Sequence, residues 1–315
     1  MARPESPAVK RYLVRRFLLF LPTLAGAFTL VFFMTHLIPG DPVEVMLGET
    51  ATAADKQALR RELGLDGTLW SQYVRYLTRT AAGDLGRSLS QQGTVAELIF
   101  SRLPATFQLS LAALGIAILI SFPLGVAAAL KKNSWLDRVS LLFSLFGVAM
   151  PNFWLGPLLI ILFSIELGWL PVSGRGGLSH LVLPSLTLGM AMAAILTRMV
   201  RSGLLEVIPE DYIRTARAKG LSETGVWLRH ALPTSLLSVV TILGLQFGAL
   251  LTGSIITETI FNWPGLGRLT IQAIQTRDYP LVQGCILVIA SSYIVVNFLT
   301  DLLYSFLDPR ISYGS

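Results

Sequence analysis

Six stretches of this 315-residue chain contain no Asp, Glu, Lys or Arg: residues 17–39, 103–130, 139–165, 176–197, 231–257 and 279–300. At about 1.5 Å of rise per residue, a helix through even the shortest exceeds the ~30 Å hydrocarbon thickness of a bilayer, so each run can cross it with some tilt. The residues outside the runs do not restore a soluble balance: the chain is 53% hydrophobic and only 14% charged, against roughly 25% charged in an ordinary soluble domain. Backbone polar groups inside lipid must be satisfied within the segment itself. The expected fold class is therefore an all-α integral membrane protein with six transmembrane helices.

The charges between the runs set the orientation. With residues 1–16 on the cytoplasmic side, the short segments of that side carry fifteen Lys and Arg, and the short connections of the other side carry three, Arg175, Arg268 and Arg277. The positive-inside rule then places both termini in the cytoplasm. Residues 17–39, 103–130, 139–165, 176–197, 233–257 and 279–306 become the spans. The segments 1–16, 198–232 and 307–315 are cytoplasmic, and 40–102 and 258–278 lie outside. The net charge of +6 is mostly topological, pointing to membrane lipid as a partner and away from nucleic acid. Arg15 and Arg16 before the first run imitate a signal peptide, but the run is too long for one and has no small-residue cleavage site before Gly40. Cys285 is the only cysteine, which excludes an intramolecular disulfide and a thiolate metal cluster within the chain.

The first outer connection, 40–102, holds eight acidic and seven basic residues, enough for a water-exposed structure of its own. Thr52 with Asp55 three residues on suits a capping box, and Gly64 suits the C-cap of the helix that follows. Trp70, Tyr73, Val74 and Leu77 fall at i, i+3, i+4, i+7 and share one face of a second short helix, either lying on the membrane interface or meeting a partner. Pro22, Pro123, Pro151, Pro157, Pro184 and Pro233 kink or thin the spans. Gly244 and Gly248 give a GxxxG spacing that permits close approach of a helix from this bundle or from a second subunit.

Several functions are excluded by what is missing. ATP hydrolysis needs a phosphate loop of type GxxxxGK[ST], and the chain has no Gly-Lys dipeptide. Secondary transporters and proton pumps carry ionisable groups at mid-membrane, whereas the runs hold no Asp, Glu, Lys or Arg and Asp301 lies just past the last of them. His36, His180 and His230 sit in three separate segments without an HExxH pair, so no metal site and no membrane metalloprotease is expected. No catalytic residue set remains. Any passage is lined by backbone, hydroxyls, amides and apolar side chains; the candidates are Asn152, Trp154, Gln246, Thr252 and Ser254, each of which would serve equally as bundle packing.

The segment 198–232 is the most informative. Pro209 suits the first position of a helix, Glu210 and Asp211 its positive end, and Arg214, Arg217 and Lys219 its negative end. Gly220 suits a left-handed C-cap, and Ser222 the cap of a second helix running through Val226, Trp227 and Leu228 toward Pro233. Ala216, Ala218 and Gly220 then form a small-residue face, flanked by cations, that another protein's pocket could receive.

The string DYIRTARAKGLSETGVWLRHALP, residues 211–233, resembles the EAA loop of binding-protein-dependent ABC importer permeases. In that loop an E-A-A-like triplet precedes a Gly, and nine residues later comes an I-x-L-P-like end. Here Gly220 is followed at that spacing by His230, Ala231, Leu232 and Pro233. The sequence departs from the general pattern with Arg214, Thr215 and Ala216 at the triplet and His230 at the Ile. The RTARAKG wording is similar to the dipeptide, oligopeptide and nickel subclass. So are LIPGDP (37–42), ELGLD (62–66), GDLGRS (83–88), MPNFW (150–154), LPVSG (170–174), ETIFNWPGLGRL (258–269), RDYP (277–280) and DPR (308–310), while the long outer loop resembles that of the first of the two permease subunits.

The resemblance implies a type I ABC importer permease fold, with one permease domain over 98–310, in the bacterial inner membrane. It implies a second homologous permease, two ATP-binding-cassette ATPase subunits and an extracytoplasmic solute-binding protein as partners. No cofactor is expected on this chain, ATP and Mg being held by the partner subunits. The residues expected to couple to the ATPases are Tyr212, Arg214, Thr215, Ala216, Arg217, Ala218, Lys219, Gly220, Leu221 and Pro233. The implied solute is a short peptide, with nickel complexes and glutathione as the alternatives among close relatives. A self-sufficient channel or secondary carrier is the competing class; it has no need of a Gly-capped cytoplasmic helix. A membrane enzyme lacks its acid, base, nucleophile or metal.

Overall fold

The structure is a computed structural model that describes residues 7–37, 43, 47, 51–63 and 65–307. Gly64, most of LIPGDP and the DPR end lie outside the described residues. The described chain is helical: α1 (Pro7–Leu37), α2 (Ala53–Leu63), α3 (Leu69–Ala81), α4 (Val95–Leu130), α5 (Trp135–Ala149), α6 (Asn152–Ile160), α7 (Leu178–Val207), α8 (Asp211–Ala218), α9 (Glu223–Val226), α10 (Leu232–Gly253), α11 (Ile255–Ile260), α12 (Leu266–Gln275) and α13 (Tyr279–Leu307). The wider i→i+5 turns of Ile161–Glu166 prolong α6, and those of Trp227–Ala231 join α9 to α10.

The centre of the bundle is the α4–α7 pair, its largest interface. Small residues let the two backbones approach: a Cβ on Gly189 would stand 2.8 Å from the Ala113 carbonyl oxygen. Ala117, Ala193, Leu196 and Val200 fill the space between them and join a cluster that continues into Ile213, Ala216 and Val226. α4 begins two turns ahead of its uncharged run because Thr94 makes a reciprocal capping box: its Oγ1 accepts from Glu97 N at 3.2 Å, and Thr94 N donates to Glu97 Oε2 at 3.0 Å.

α4, α7 and α13 are each long and apolar enough to cross a membrane unbroken. Run 139–165, expected as one span, is instead two helices, α5 and the α6 segment, meeting at 104°. Pro151 is the cause. It has no N–H to continue the helix, and it forces Met150 into extended backbone at φ −85°, ψ 115°. The fifth run also differs, for Glu223–Leu236 and Val239–Thr252 bend by 51°. The wide turns 227–231 end two residues before Pro233, which cannot donate into a regular α-helical ladder.

In the outer connection, Thr52 and Asp55 form the anticipated box, with Asp55 N donating to Thr52 Oγ1 at 3.2 Å and Thr52 N to Asp55 Oδ2 at 3.3 Å. The aromatic face of α3 packs on α1. Tyr73 lies against Phe32 and Phe33, and its hydroxyl shares a 2.7 Å hydrogen bond with Thr29. Trp70, at 72% exposure, stays uncovered. The GxxxG pair meets this chain's own last helix: Gly244 lies against Thr300 and Gly248 against Tyr293 of α13.

Candidate coupling loop and passage

α7 stops where Pro209 removes the next N–H donor, so Pro209 closes that helix and does not open α8 as its sequence position suggested. The N-cap of α8 is Glu210, in extended backbone at φ −63°, ψ 144°. At the other end Gly220 adopts φ +79°. Gly220 N donates to Arg217 O at 2.9 Å and Leu221 N to Ala216 O at 3.4 Å, the paired bonds of a Schellman cap, with Leu221 packed into the same cluster as Ala216. Ser222 starts α9, accepting from Gly225 N at 3.3 Å.

Burial revises which face of α8 is available. Ile213 is 1% and Ala216 5% exposed, both turned into the cluster that contains Leu204 and Val226. A bulky β-branched residue three positions before Ala216 selects that stripe as the inward one. Ala216 is thus covered by its own chain and does not present the small-residue face expected of it. Tyr212, Arg214, Thr215, Ala218, Lys219 and Gly220 are exposed, and Arg217 and Leu221 are partly buried. Pro233 is exposed at the start of α10.

Two ion pairs, neither legible from spacing, hold this loop. Arg217 Nε donates to Glu223 Oε1 at 2.8 Å and Nη2 to Oε2 at 3.3 Å, while Trp227 Nε1 donates to Oε2 at 3.0 Å. The turn at Gly220 is therefore clipped shut, and the Arg217 hydrogen bonds hold the Glu223 carboxyl below its ordinary pKa. Behind it, Arg201 of α7 grips Asp137 of α5 through Nε–Oδ1 at 2.5 Å and Nη2–Oδ2 at 2.9 Å, with side-chain exposures of 18% and 3%. Asp137 also accepts from Asn133 N at 2.9 Å. The Arg201 bonds lower the Asp137 pKa. A carboxylate three residues past the Ser134 cap is the only local signal; its partner is 64 residues away.

The candidate passage residues separate. Asn152 and Gln246 are brought together at a cavity of ≈ 190 Å³ that α7 completes with Leu188, Ala191, Met192 and Ile195. Trp154 is elsewhere, 52% exposed. Thr252 bonds back to Ala249 O of its own helix at 3.0 Å. Ser254 is fully buried and donates to Glu258 Oε1 at 3.0 Å.

That last contact belongs to a polar cage in the ETIFNWPGLGRL stretch. Glu258, fully buried, also accepts from Thr106 Oγ1 at 2.7 Å and Arg268 N at 3.0 Å. Thr106 Oγ1 in turn accepts from Leu266 N at 2.7 Å, and Trp263 Nε1 donates to Ala105 O at 2.9 Å. Gly267 is required here, since a Cβ would meet Ile255 Cα at 2.7 Å. The cage fastens α11 and α12 to α4. Nearby, Asp278 Oδ2 collects Ser88 Oγ at 2.5 Å, Leu89 N and Ser90 N at 3.0 Å and Ser90 Oγ at 2.9 Å. GDLGRS and RDYP are thus two halves of one joint.

The described residues thus form a helical bundle with a capped, clipped loop helix. Residues 121–313 match the family "Binding-protein-dependent transport system inner membrane component", and residues 9–111 match its N-terminal companion, "Binding-prot-dependent transport system membrane comp, N-term". The chain belongs to this family of ABC importer permeases. It is 44% identical over 302 residues to the glutathione transport system permease protein GsiC of Escherichia coli O6:H1, covering 96% of this chain and 99% of that one. Identity to the GsiC of Salmonella paratyphi A is also 44%, and to that of Escherichia coli K12 43%, with the same coverage. Two crystal forms of the inward-facing MetNI methionine ABC transporter share the fold, with TM-scores of 0.54 and 0.55 at 20% and 19% identity, over 67% of this chain and 96% of theirs. The fold is that of a type I ABC importer permease. The protein is a bacterial inner-membrane permease subunit and not an enzyme, ATP hydrolysis residing in separate subunits. Importers of this kind operate with a partner permease, ATPases and a binding protein.

Proposed function

We propose that the chain forms half of the passage through which a short peptide, glutathione or one of similar size, is imported, and that the ATPases drive it through α8. One observation carries the reading. α8 is held by the Schellman cap and the Arg217–Glu223 pair, its outer face is exposed, and its inner face, Ile213 and Ala216, is embedded in the cluster that runs into α7 and α10. A displacement of α8 is therefore delivered to the helices that wall the cavity. Tyr212, Arg214, Thr215, Ala218 and Lys219 are the contact residues, and Ala216, Arg217, Gly220, Leu221 and Pro233 hold the shape. In this reading the chain crosses six times with both termini in the cytoplasm, so that α8 lies inside and the 40–102 connection lies outside, where it meets the binding protein. The 44% identity to glutathione permeases supports the solute class; dipeptides and nickel complexes are the alternatives within the same class.

The test is reconstitution of the chain with its partner permease, both ATPases and the binding protein in liposomes. Import of glutathione should require internal ATP and the external binding protein, and the chain by itself should pass nothing. Flux through the chain alone without nucleotide would overturn the importer reading. Import of a nickel complex with none of glutathione or dipeptides would overturn the solute class only.

A further inference from the structure

The geometry points to the Asn152–Gln246 cavity as a subsite for the peptide group of the solute in transit. This assignment rests on the importer reading above and sharpens it. The cavity walls are otherwise apolar, coming from Leu188, Ala191, Met192, Ile195, Ala249 and Leu250, and no charged residue reaches it. The lining also holds two carboxamide residues, Asn152 at the start of α6 and Gln246 in the middle of α10, both half-buried and neither hydrogen-bonded through its side chain among the described residues. Both amides are only half-buried and keep access to water, which a solute group with matching donors and acceptors can replace.

The chemistry of the two groups selects the occupant. A carboxamide offers two N–H donors and a carbonyl acceptor, which is the complement of a peptide bond, one N–H and one C=O. Two amides can therefore take both edges of a single peptide group without reading the side chains on either side of it. Size agrees, because ≈ 190 Å³ is below the roughly 300–1,000 Å³ of clefts that enclose a whole small ligand. The subsite holds one peptide unit at a time, and its recognition is independent of sequence and of charge. The apolar wall would otherwise strip water from a passing peptide group with nothing in return; the amides offset that cost.

The experiment uses the full importer with its binding protein in liposomes and reads glutathione imported per ATP hydrolysed, for wild type, Gln246→Leu, Gln246→Asn and Asn152→Leu. One neutral hydrogen bond corresponds to about a 3- to 10-fold effect. Gln246→Leu and Asn152→Leu should each lower import per ATP by about that factor while solute-stimulated ATP hydrolysis stays near wild type, and Gln246→Asn should retain more than half of it. Unchanged import per ATP in both Leu variants would overturn the subsite. So would equal losses in Gln246→Leu and Gln246→Asn, or loss of ATP hydrolysis together with import, since both mark a packing role. Failure of the importer reading is seen separately, as absence of peptide import by the wild-type complex.

Discussion

Gly220 offers a way to separate backbone strain from crowding at the coupling helix. Its φ of +79° lies in the left-handed region, yet a Cβ built there meets nothing within 4 Å. A substitution is therefore opposed by backbone energy alone, about 1–2 kcal/mol for a non-glycine residue. The cap offers in return two hydrogen bonds, Gly220 N to Arg217 O at 2.9 Å and Leu221 N to Ala216 O at 3.4 Å, about 0.5–1.5 kcal/mol each. The two sums are comparable, so Gly220→Ala should lower the ratio of capped to uncapped α8 by about 5- to 30-fold without unfolding the loop. Asn tolerates the left-handed region and should behave close to glycine, whereas Val, β-branched, is a true outlier there and should lose the cap. The assay is solute-stimulated ATP hydrolysis by the assembled complex, with membrane insertion followed separately. The expected order is Gly and Asn, then Ala, then Val, with insertion equal in all four. Should Asn prove as damaging as Val, contact with the partner and not strain would govern the site, and equal activity in all four would remove the cap from the mechanism.

Asp137→Asn leaves Arg201 without its counter-ion in a nearly closed site, and should cost about 3 kcal/mol, the lower end for a buried pair because Arg201 keeps some exposure; the unfolding temperature of the purified complex measures it. Because Arg201 depresses the Asp137 pKa, the pair's stability is complete above the unfolded carboxylate value near ~3.9 and is lost as pH falls through the lower folded one. The wild-type advantage over Asp137→Asn should thus vanish only in strong acid. Asp278→Ala frees the Leu89 and Ser90 amides, and their hydrogen exchange should accelerate at least about tenfold, consistent with loss of charge-assisted bonds of about 1.5–3 kcal/mol. Thr106→Val preserves shape but orphans the Leu266 N–H and removes a donor from Glu258, a loss of about 1–3 kcal/mol per buried group; unchanged thermal stability of the complex would refute the cage.

The local chemistry of the chain was readable in advance and its distant pairings were not. Uncharged runs located the long helices, and the caps at Thr52, Gly220 and Ser222 follow from residue type because capping is satisfied within three or four positions. The break at Pro151 is legible in the same terms, since proline lacks an N–H and bars its neighbour's helical backbone, although the apolar run continues through it without a charge. The inward turn of Ala216 depends on what Ile213 packs against, so a small residue read as a docking face is in fact core. Asp137–Arg201, Thr106–Glu258 and Asp278 with Ser88 and Ser90 join residues 64 to 190 positions apart, and no period or spacing encodes such meetings. Of the five polar candidates for the passage, two converge on the cavity, because which side of a helix faces inward is decided by its neighbours.

The Asp278 joint also constrains how the protein is made. Ser88, Leu89 and Ser90 are synthesised early, but the carboxylate that immobilises them arrives some 190 residues later, at the threshold of the last helix. Until the ribosome has delivered that residue, the early loop has only its own turns to hold it, and truncated chains must expose it unanchored. The early loop thus reaches its final form only when the last helix is about to begin.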